Sequence, residues 1–292
     1  MSTRHVTVFG GSGFLGSHVA DALSAKGYQV TIFDLNPSPY LLPEQKMVTG
    51  NILDTQAVLS AVDGADYVYN FAGIADLDDA TTKPMETVQL NIMGNLNIME
   101  AVVHAKGKRF VYASSIYVYS QKGGFYRCSK QASEIYVEEY QRRYNMDYTV
   151  LRYGTLYGSR ADEKNSVYRY LKQALEKAEI SCGGTGDEIR EYINVRDAAR
   201  LSVDILGDDF RNKHVILTGH HSMKFREMLL MIREILGGNI QINFNGKETR
   251  DHYNYTPYSF IPKIGQKLVS HLYVDIGQGL LECLHEMSNG KQ

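Results

Sequence analysis

No stretch of the chain approaches 18 apolar residues, and its first residues, MSTRHVTVFGG, enter a strand without a basic segment leading into an apolar one. A membrane-spanning helix and a secretory leader are therefore not expected, and the protein is expected in the cytoplasm. Cysteine is scarce: Cys128, Cys182 and Cys283 are widely separated, odd in number and form no C-x-x-C pair. That excludes a disulfide framework and reads as reduced, structural thiols. His220-His221 and the remaining histidines show no zinc-ligand spacing, so no metal is expected. An excess of charge is lacking too. The 31 Lys and Arg against 33 Asp and Glu leave a net charge of -2, which gives no footprint for a nucleic-acid polyanion. With no repeat, charge block or low-complexity tract, disorder is expected only at the polar end, Ser288 to Gln292.

What is present is a chain of 292 residues, 43% of them hydrophobic. That is enough to bury the core of one large domain or somewhat more, without an assembly partner. His5 to Gly10 is a short apolar run ending in glycine, as a buried parallel strand feeding a tight turn should be. Leu15, Val19, Ala22 and Leu23 then share one helix face until Lys26-Gly27. Strands are predicted at Tyr28 to Phe33, Lys46 to Val48, Tyr67 to Phe71, Arg109 to Ala113 and Tyr148 to Tyr153. Helices are predicted from about Met85 to Ala105 and from Tyr126 to Tyr144. This alternation implies a doubly wound parallel sheet of the Rossmann type, covered by helices on both faces, over residues 1–157. Beyond 157 the rhythm loosens. Helices near Val167 to Lys177, Phe225 to Leu236 and Ile276 to Glu286, with a glycine turn at Gly183 to Gly186, predict a smaller α/β substrate lobe over 158–292, some of whose segments return to the first domain.

Gly10, Gly13 and Gly16, in GGSGFLG, lie between the first strand and first helix. The spacing is G-x-x-G-x-x-G rather than G-x-G-x-x-G, but it meets the same needs: a tight turn, backbone approach to a pyrophosphate, and close packing of helix on strand. Asp34 follows Gly16 by 18 residues at the end of the second strand, where a carboxylate accepts from ribose hydroxyls. No Lys or Arg follows in Leu35-Asn36-Pro37-Ser38 to neutralise a 2′-phosphate, so NAD is favoured over NADP. Asp34 as a mere turn or cap residue is the alternative.

Tyr126 and Lys130 are four apart, on one face of a helix. An ammonium near a phenol favours the phenolate, so the tyrosine pKa is expected to fall and Tyr126 to serve as general base. Ser115, ending the strand before it, is placed to orient the reacting hydroxyl. A surface Tyr and Lys is the alternative for a bare match among 21 tyrosines.

These motifs, together with Asn51-Ile52, Asn70-Phe-Ala-Gly73, Asn91, Ser114-Ser115-Ile-Tyr-Val-Tyr119, Leu151-Arg-Tyr-Gly-Thr-Leu-Tyr-Gly158 and Arg190-Glu-Tyr-Ile-Asn-Val195, occur in the order that the NAD-dependent epimerase/dehydratase family shows. The chain resembles that family, the extended short-chain dehydrogenase/reductases that act on nucleotide sugars, over roughly residues 5 to 206. The resemblance implies that Ser115 and Tyr126 bind and deprotonate a sugar hydroxyl while Lys130 holds the nicotinamide ribose. Asn51 and Ile52 match the adenine side, and Phe14, Leu15, Phe71, Ala72, Gly73 and Tyr153 match other cofactor positions. Thr155, Arg190, Tyr192 and Arg250 match the substrate side, where a guanidinium fork suits a diphosphate.

Three positions depart from the family's pattern. Ser115 is followed by Ile116-Tyr117, where the dehydratases carry an Asp-Glu acid and base, so 4,6-dehydration is disfavoured. Only six residues separate Tyr119 from Tyr126, a short loop beside the base. Thr155 stands where the family's motif usually has Asn. The expected function is 4-epimerisation of a nucleotide-diphosphate sugar, a UDP-sugar foremost. An NAD-dependent dehydrogenase or keto-sugar reductase of the same fold, and a non-catalytic NAD-binding interaction protein, are the alternatives. A homodimer is expected through the Met85 to Ala105 and Tyr126 to Tyr144 helices, with Leu90, Met93, Leu96, Ile98 and Met99 as the apolar surface, unless these pack on the sheet.

Overall fold

Short apolar runs become strands here because each can bury both of its faces. The computed structural model describes residues 4–219 and 222–246. In chain order, β1 (His5–Phe9), α1 (Phe14–Ala25), β2 (Gln29–Asp34), β3 (Lys46–Thr49), α2 (Thr55–Val62) and β4 (Tyr67–Asn70) come first. Then follow α3 (Leu77–Thr82), α4 (Pro84–Val88), α5 (Asn95–Ala105), β5 (Arg109–Ser115), α6 (Gly124–Tyr144) and β6 (Tyr148–Tyr153). The remainder is β7 (Thr155–Tyr157), α7 (Ser166–Lys177), β8 (Glu179–Cys182), β9 (Ile189–Asn194), α8 (Val195–Asp204), β10 (Lys213–Leu217), β11 (Ser222–Lys224), α9 (Phe225–Ile235) and β12 (Gln241–Phe244).

Seven strands form one parallel sheet in the order β10-β6-β5-β4-β1-β2-β3. Strand β1 lies between β2 and β4, so the order reverses there and a crevice opens at the carboxyl ends, where Gly10 and its neighbours begin. Side chains alternate between two cores. Val6, Val8, Ile32, Tyr69 and Leu151 face one layer with Leu23 of α1 and Val203 of α8. Phe9, Phe33, Val68, Phe110 and Val150 face the other with Val62 of α2, Ile98 of α5 and Val137 of α6. The doubly wound sheet predicted from the sequence is thus present.

Past β6 the chain divides its work. Helix α8 joins the first core and β10 pairs in parallel with β6, so residues 195–217 return to the main sheet. A separate core, including Val167, Ile180, Phe225, Leu229 and Ile232, holds α7, α9 and the β8/β12 pair together. A third sheet, of strand order β11-β9-β7, draws on three separate stretches of the chain beyond β6.

The predicted helix from Met85 to Ala105 is instead α4, a π-helical stretch Gln89–Gly94, and α5. Two neighbours account for the widened turn. The Asn91 carboxamide turns to Ile74, accepting from its N–H at 2.7 Å and donating to its carbonyl at 2.9 Å, and Gly94 leaves room for the Ile52 side chain where a Cβ would stand. Of the apolar residues expected at a dimer surface, Ile98 and Met99 are fully buried in the second core. Leu90 and Leu96 pack partly against it, and Met93 alone is half exposed. The sheet claims this face because α5 lies directly on β4. None of the described helices is long and apolar enough to cross a membrane. The predicted Ile276 to Glu286 helix, His220-His221, Cys283 and the terminal Ser288 to Gln292 lie outside the described residues.

Leu151 is 0% exposed at the centre of β6 whereas Leu35 is 57% exposed just past β2. Urea unfolding should show Leu151→Ala losing about 2–5 kcal/mol and Leu35→Ala changing stability by no more than about 0.5 kcal/mol; equal losses would contradict this layering.

Candidate functional site

The turn after β1 is built on contacts that only glycine permits. Gly10 has φ +74°, and a Cβ there would come within 2.5 Å of the Ala72 nitrogen. At Gly16 a Cβ would overlap the Gly10 carbonyl. Gly13 is different, since its Cβ would meet only the Gly10 oxygen, at an ordinary 3.4 Å. Nothing within the protein requires glycine at 13. The backbone there is open to approach from outside, and no side chain caps the N-terminus of α1 that starts there. Uncapped first-turn amides with the positive dipole end beside them suit a pyrophosphate, so this cradle fits a dinucleotide. Asp34 has a double employment. Its Oδ2 accepts from Ser12 N at 3.0 Å and its Oδ1 from Asn36 N at 3.2 Å, which ties the glycine turn to the end of β2 and leaves lone pairs for a ribose.

The loop after β4 lies alongside. Asn70 is buried, its Oδ1 accepting from Ala72 N at 2.9 Å while its Nδ2 donates to Asn95 Oδ1 at 2.8 Å. Gly73, at φ +139°, lies so close to the Asn91 carboxamide that a Cβ would displace it. Asn91 also donates to Ser129 Oγ at 2.9 Å, and its carbonyl accepts from Ser133 Oγ at 2.8 Å. The loop that carries Phe71, Ala72 and Gly73 is thereby fastened to α6. Farther along, Asn51 turns its carboxamide back to Leu53 N at 2.9 Å, and the Ile52 carbonyl accepts from Asn97 Nδ2 at 3.0 Å.

Strand β5 runs two residues past the predicted end and carries Ser114 and Ser115 to the same edge of the sheet. Ser115, Tyr126 and Lys130 are all buried, with Ser115 and Tyr126 hydrogen-bonded through their side chains. Lys130 Nζ donates to the Ala113 carbonyl at 2.7 Å and lies 5.7 Å from the centre of the Tyr126 ring. Tyr117 packs edge-on against that ring, centroids 6.1 Å apart. The three residues come together as the sequence predicts, but the expected lowering of the tyrosine pKa is not found. Burial pushes the Tyr126 phenol up to about 12, outweighing the Ser115 hydrogen bond that works the other way. Burial also brings Lys130 down to about 8, against the pull of Glu134. Removing a phenolate from water costs more than one neighbouring hydrogen bond returns.

Of the residues expected on the substrate side, Thr155 of β7 and Tyr192 of β9 are paired in register, and Arg190 lies two residues along β9 opposite Met223. Thr155 begins two residues after Tyr153, the partner of Ser115 in the main sheet, so the small sheet starts at the edge where Ser115 lies. Tyr153 is placed otherwise than a ligand-facing side chain. It is buried in the first core with its hydroxyl 2.6 Å from Ser202 Oγ, because the alternation along β6 turns it inward. Phe71 stacks on Tyr69 and lies tilted against Tyr153, while Phe14 lies edge-on to His18 and Leu15 packs partly against the first core. Arg250 lies outside the described residues. Among the described residues no group of three His, Cys, Asp or Glu is arranged to hold a metal.

Sequence reasoning passed over four contributors: Ser129, Ser133, Glu134 and Arg152. A signal was available, since 126, 129, 130, 133 and 134 fall on the inward stripe of α6 where apolar residues are the rule.

A profile of the NAD dependent epimerase/dehydratase family matches residues 6–219. The chain belongs to that family. Among curated relatives, a putative UDP-glucose 4-epimerase of Methanocaldococcus jannaschii is 24% identical over 98% of this chain and 99% of its own. Two solved structures share the fold of this family member: UDP-glucose 4-epimerase of Thermotoga maritima with UDP-glucose (TM-score 0.81, 22% identity, 88% and 90% of the chains), and UDP-glucuronic acid 4-epimerase of Bacillus cereus with UDP-glucuronic acid and NAD (TM-score 0.80, 23%, 88% and 90%).

Gly10→Ala should destabilise the fold by about 1–3 kcal/mol from backbone strain alone. Gly13→Ala should cost less than about 1 kcal/mol yet weaken dinucleotide binding by about tenfold or more. Thermal unfolding and NAD titration of the two variants check this; NAD affinity unchanged in Gly13→Ala would contradict the role given to that residue.

Proposed function

We propose that this chain binds NAD and a nucleotide-diphosphate sugar, a UDP-sugar foremost, and inverts the sugar at C4 through a transient 4-keto sugar. The observation that carries this reading is the joint burial of Ser115, Tyr126 and Lys130 at the end of β5, followed in the chain by Ile116 and Tyr117 and no carboxylate. A phenol, a hydroxyl and an ammonium suffice to take a proton from a sugar alcohol and return it. They do not suffice to eliminate water, which needs a further acid and base. The 4-epimerases among its relatives and fold neighbours support the same reading.

NAD, when bound, supplies the hydride acceptor and donor and a positive charge in the site. The protein's own groups do the rest. Ser115 orients the C4 hydroxyl by hydrogen bonding, and Tyr126 removes its proton. With its phenol pKa near 12 in the free protein, Tyr126 is protonated at neutral pH and becomes a base only as positive charge accumulates beside it; Lys130, an ammonium at neutral pH, is one source. Tyr126 then returns the proton after the keto sugar has turned its other face. Thr155, Tyr192 and Arg190 face the diphosphate in this reading, the guanidinium matching phosphate oxygens. The free thiols of Cys128 and Cys182 suit a reducing cytoplasm. The chain pairs as a homodimer through α4 to α6, where Met85 and Ile135 are 72% and 67% exposed.

Tyr126→Phe should lower kcat on the responsive sugar by about 100-fold or more while NAD affinity holds, since the hydroxyl contributes to proton transfer. Wild-type protein should interconvert the two sugars without net NADH absorbance. Full turnover by the Phe variant, or stoichiometric NADH, would refute the epimerase assignment.

A further inference from the structure

One carboxylate on the inner stripe of α6 has no part in the chemistry above. Glu134, 6% exposed, follows Lys130 by four residues and Tyr126 by eight. Its Oε1 accepts from Ser114 Oγ at 2.5 Å and from Arg152 Nε at 3.0 Å, and its Oε2 accepts from Arg152 Nη2 at 2.6 Å. Arg152 continues the chain. It donates to the Tyr119 hydroxyl, lies 4.7 Å over the Tyr119 ring, and contacts His214 Nδ1 at 2.8 Å. His214 Nε2 in turn lies 2.9 Å from Glu138. Five segments meet here: α6, the end of β5, the turn at 116–119, β6 and β10.

A buried ion pair is a poor means of gaining stability, because well-packed apolar residues of the same volume often do as well or better. Val137 and Tyr140 show that the same stripe accepts apolar groups one turn on. The pair is better explained by what it fixes. Ser114 precedes Ser115, Tyr119 ends the turn that begins at Ile116, and Lys130 shares the helix face.

We infer that Glu134 is a positioning residue of the catalytic set, holding the Ser115 end of β5 and the Tyr117–Tyr119 turn against α6 through Ser114 and Arg152 and acting on Lys130 through its charge. This rests on the proposed roles of Ser115, Tyr126 and Lys130. The groups facing Lys130 are Tyr126 and Glu134 on α6 and Tyr112 on β5, whose ring lies 4.9 Å away. Those facing Glu134 are Ser114 on β5, Arg152 on β6 and His214 on β10. Burial alone would raise the Glu134 carboxyl, but His214, Arg152 and Ser114 bring it down to about 2. It is therefore a fixed negative charge at working pH and works against the burial that lowers Lys130. Removing the charge must move the Lys130 midpoint further down.

The test titrates Lys130 directly in the full chain without ligands, by NMR of protein carrying 13Cε-lysine, the signal assigned by its loss in Lys130→Arg. Glu134→Gln should lower the midpoint by about one pH unit and lower kcat on any responsive sugar with KM little changed, the alkaline limb moving to lower pH. Because Glu134→Gln leaves Arg152 buried and unpaired, a Glu134→Gln/Arg152→Met double variant is measured as well. Its fold is checked by thermal unfolding, and its midpoint should fall by less than in Glu134→Gln, because the Arg152 charge leaves together with the Glu134 charge. Unchanged midpoints in the folded variants would overturn the inference whatever the wild type turns over. A shifted midpoint in a protein inactive on every sugar would instead leave it standing and remove the epimerase reading.

Discussion

The structure depends on burying a polar stripe. Helix α6 turns Tyr126, Ser129, Lys130, Ser133 and Glu134 inward, and each must find a partner there, since an unpaired polar group away from water costs on the order of 1–3 kcal/mol. Lys130 finds the Ala113 carbonyl, Ser129 the Tyr126 carbonyl and Ser133 the Asn91 carbonyl. Glu134 finds Ser114 and Arg152. These bonds reach β5, β6 and the π-helical stretch before α5, so satisfying one helix face aligns the strand end that carries Ser115 and the loop that carries Gly73. The site is a consequence of how that helix is seated.

A second constraint acts at the other side of the crevice and is steric. Gly10, Gly16 and the Ala72 backbone approach so closely that no side chain fits, which fixes α1 on β1 and brings the Phe71–Gly73 loop beside the glycine turn. Gly13 is left with space in front of it. Taken together, the two constraints leave one edge of the sheet with an uncapped helix N-terminus at one end and the buried Ser115, Tyr126 and Lys130 at the other, the layout that the proposed function uses.

Much of this was legible in the sequence. The apolar runs and glycine spacing located β1 to β6 of the main sheet within a residue or two, because a buried parallel strand is apolar on both faces and little else in a chain is. Ser115, Tyr126 and Lys130 were legible from helical spacing and from the end of a strand. The π-helical stretch was not, because it arises from the Asn91 carboxamide meeting Ile74, a contact between segments 17 residues apart. A return of later segments to the main sheet was expected, but not which ones: no element was read at α8 or at Lys213–Leu217, whose place beside β6 is a pairing distant in sequence. The tyrosine pKa failed as a sequence expectation for a physical reason: charge proximity could be guessed from spacing, but the cost of burial depends on the finished fold. Glu134 was readable in hindsight as the third polar residue at i, i+4, i+8.

The proposed epimerase requires chemistry at the sugar alcohol with no net redox change. The most direct measurement is proton NMR of the protein with NAD and a panel of UDP-, GDP-, CDP- and dTDP-sugars in deuterated water. Hydride that leaves C4 and returns without meeting solvent predicts a C4 stereoisomer from one of these sugars that retains its hydrogen at C4. A stereoisomer carrying deuterium at the inverted carbon, or no stereoisomer from any sugar, would contradict it.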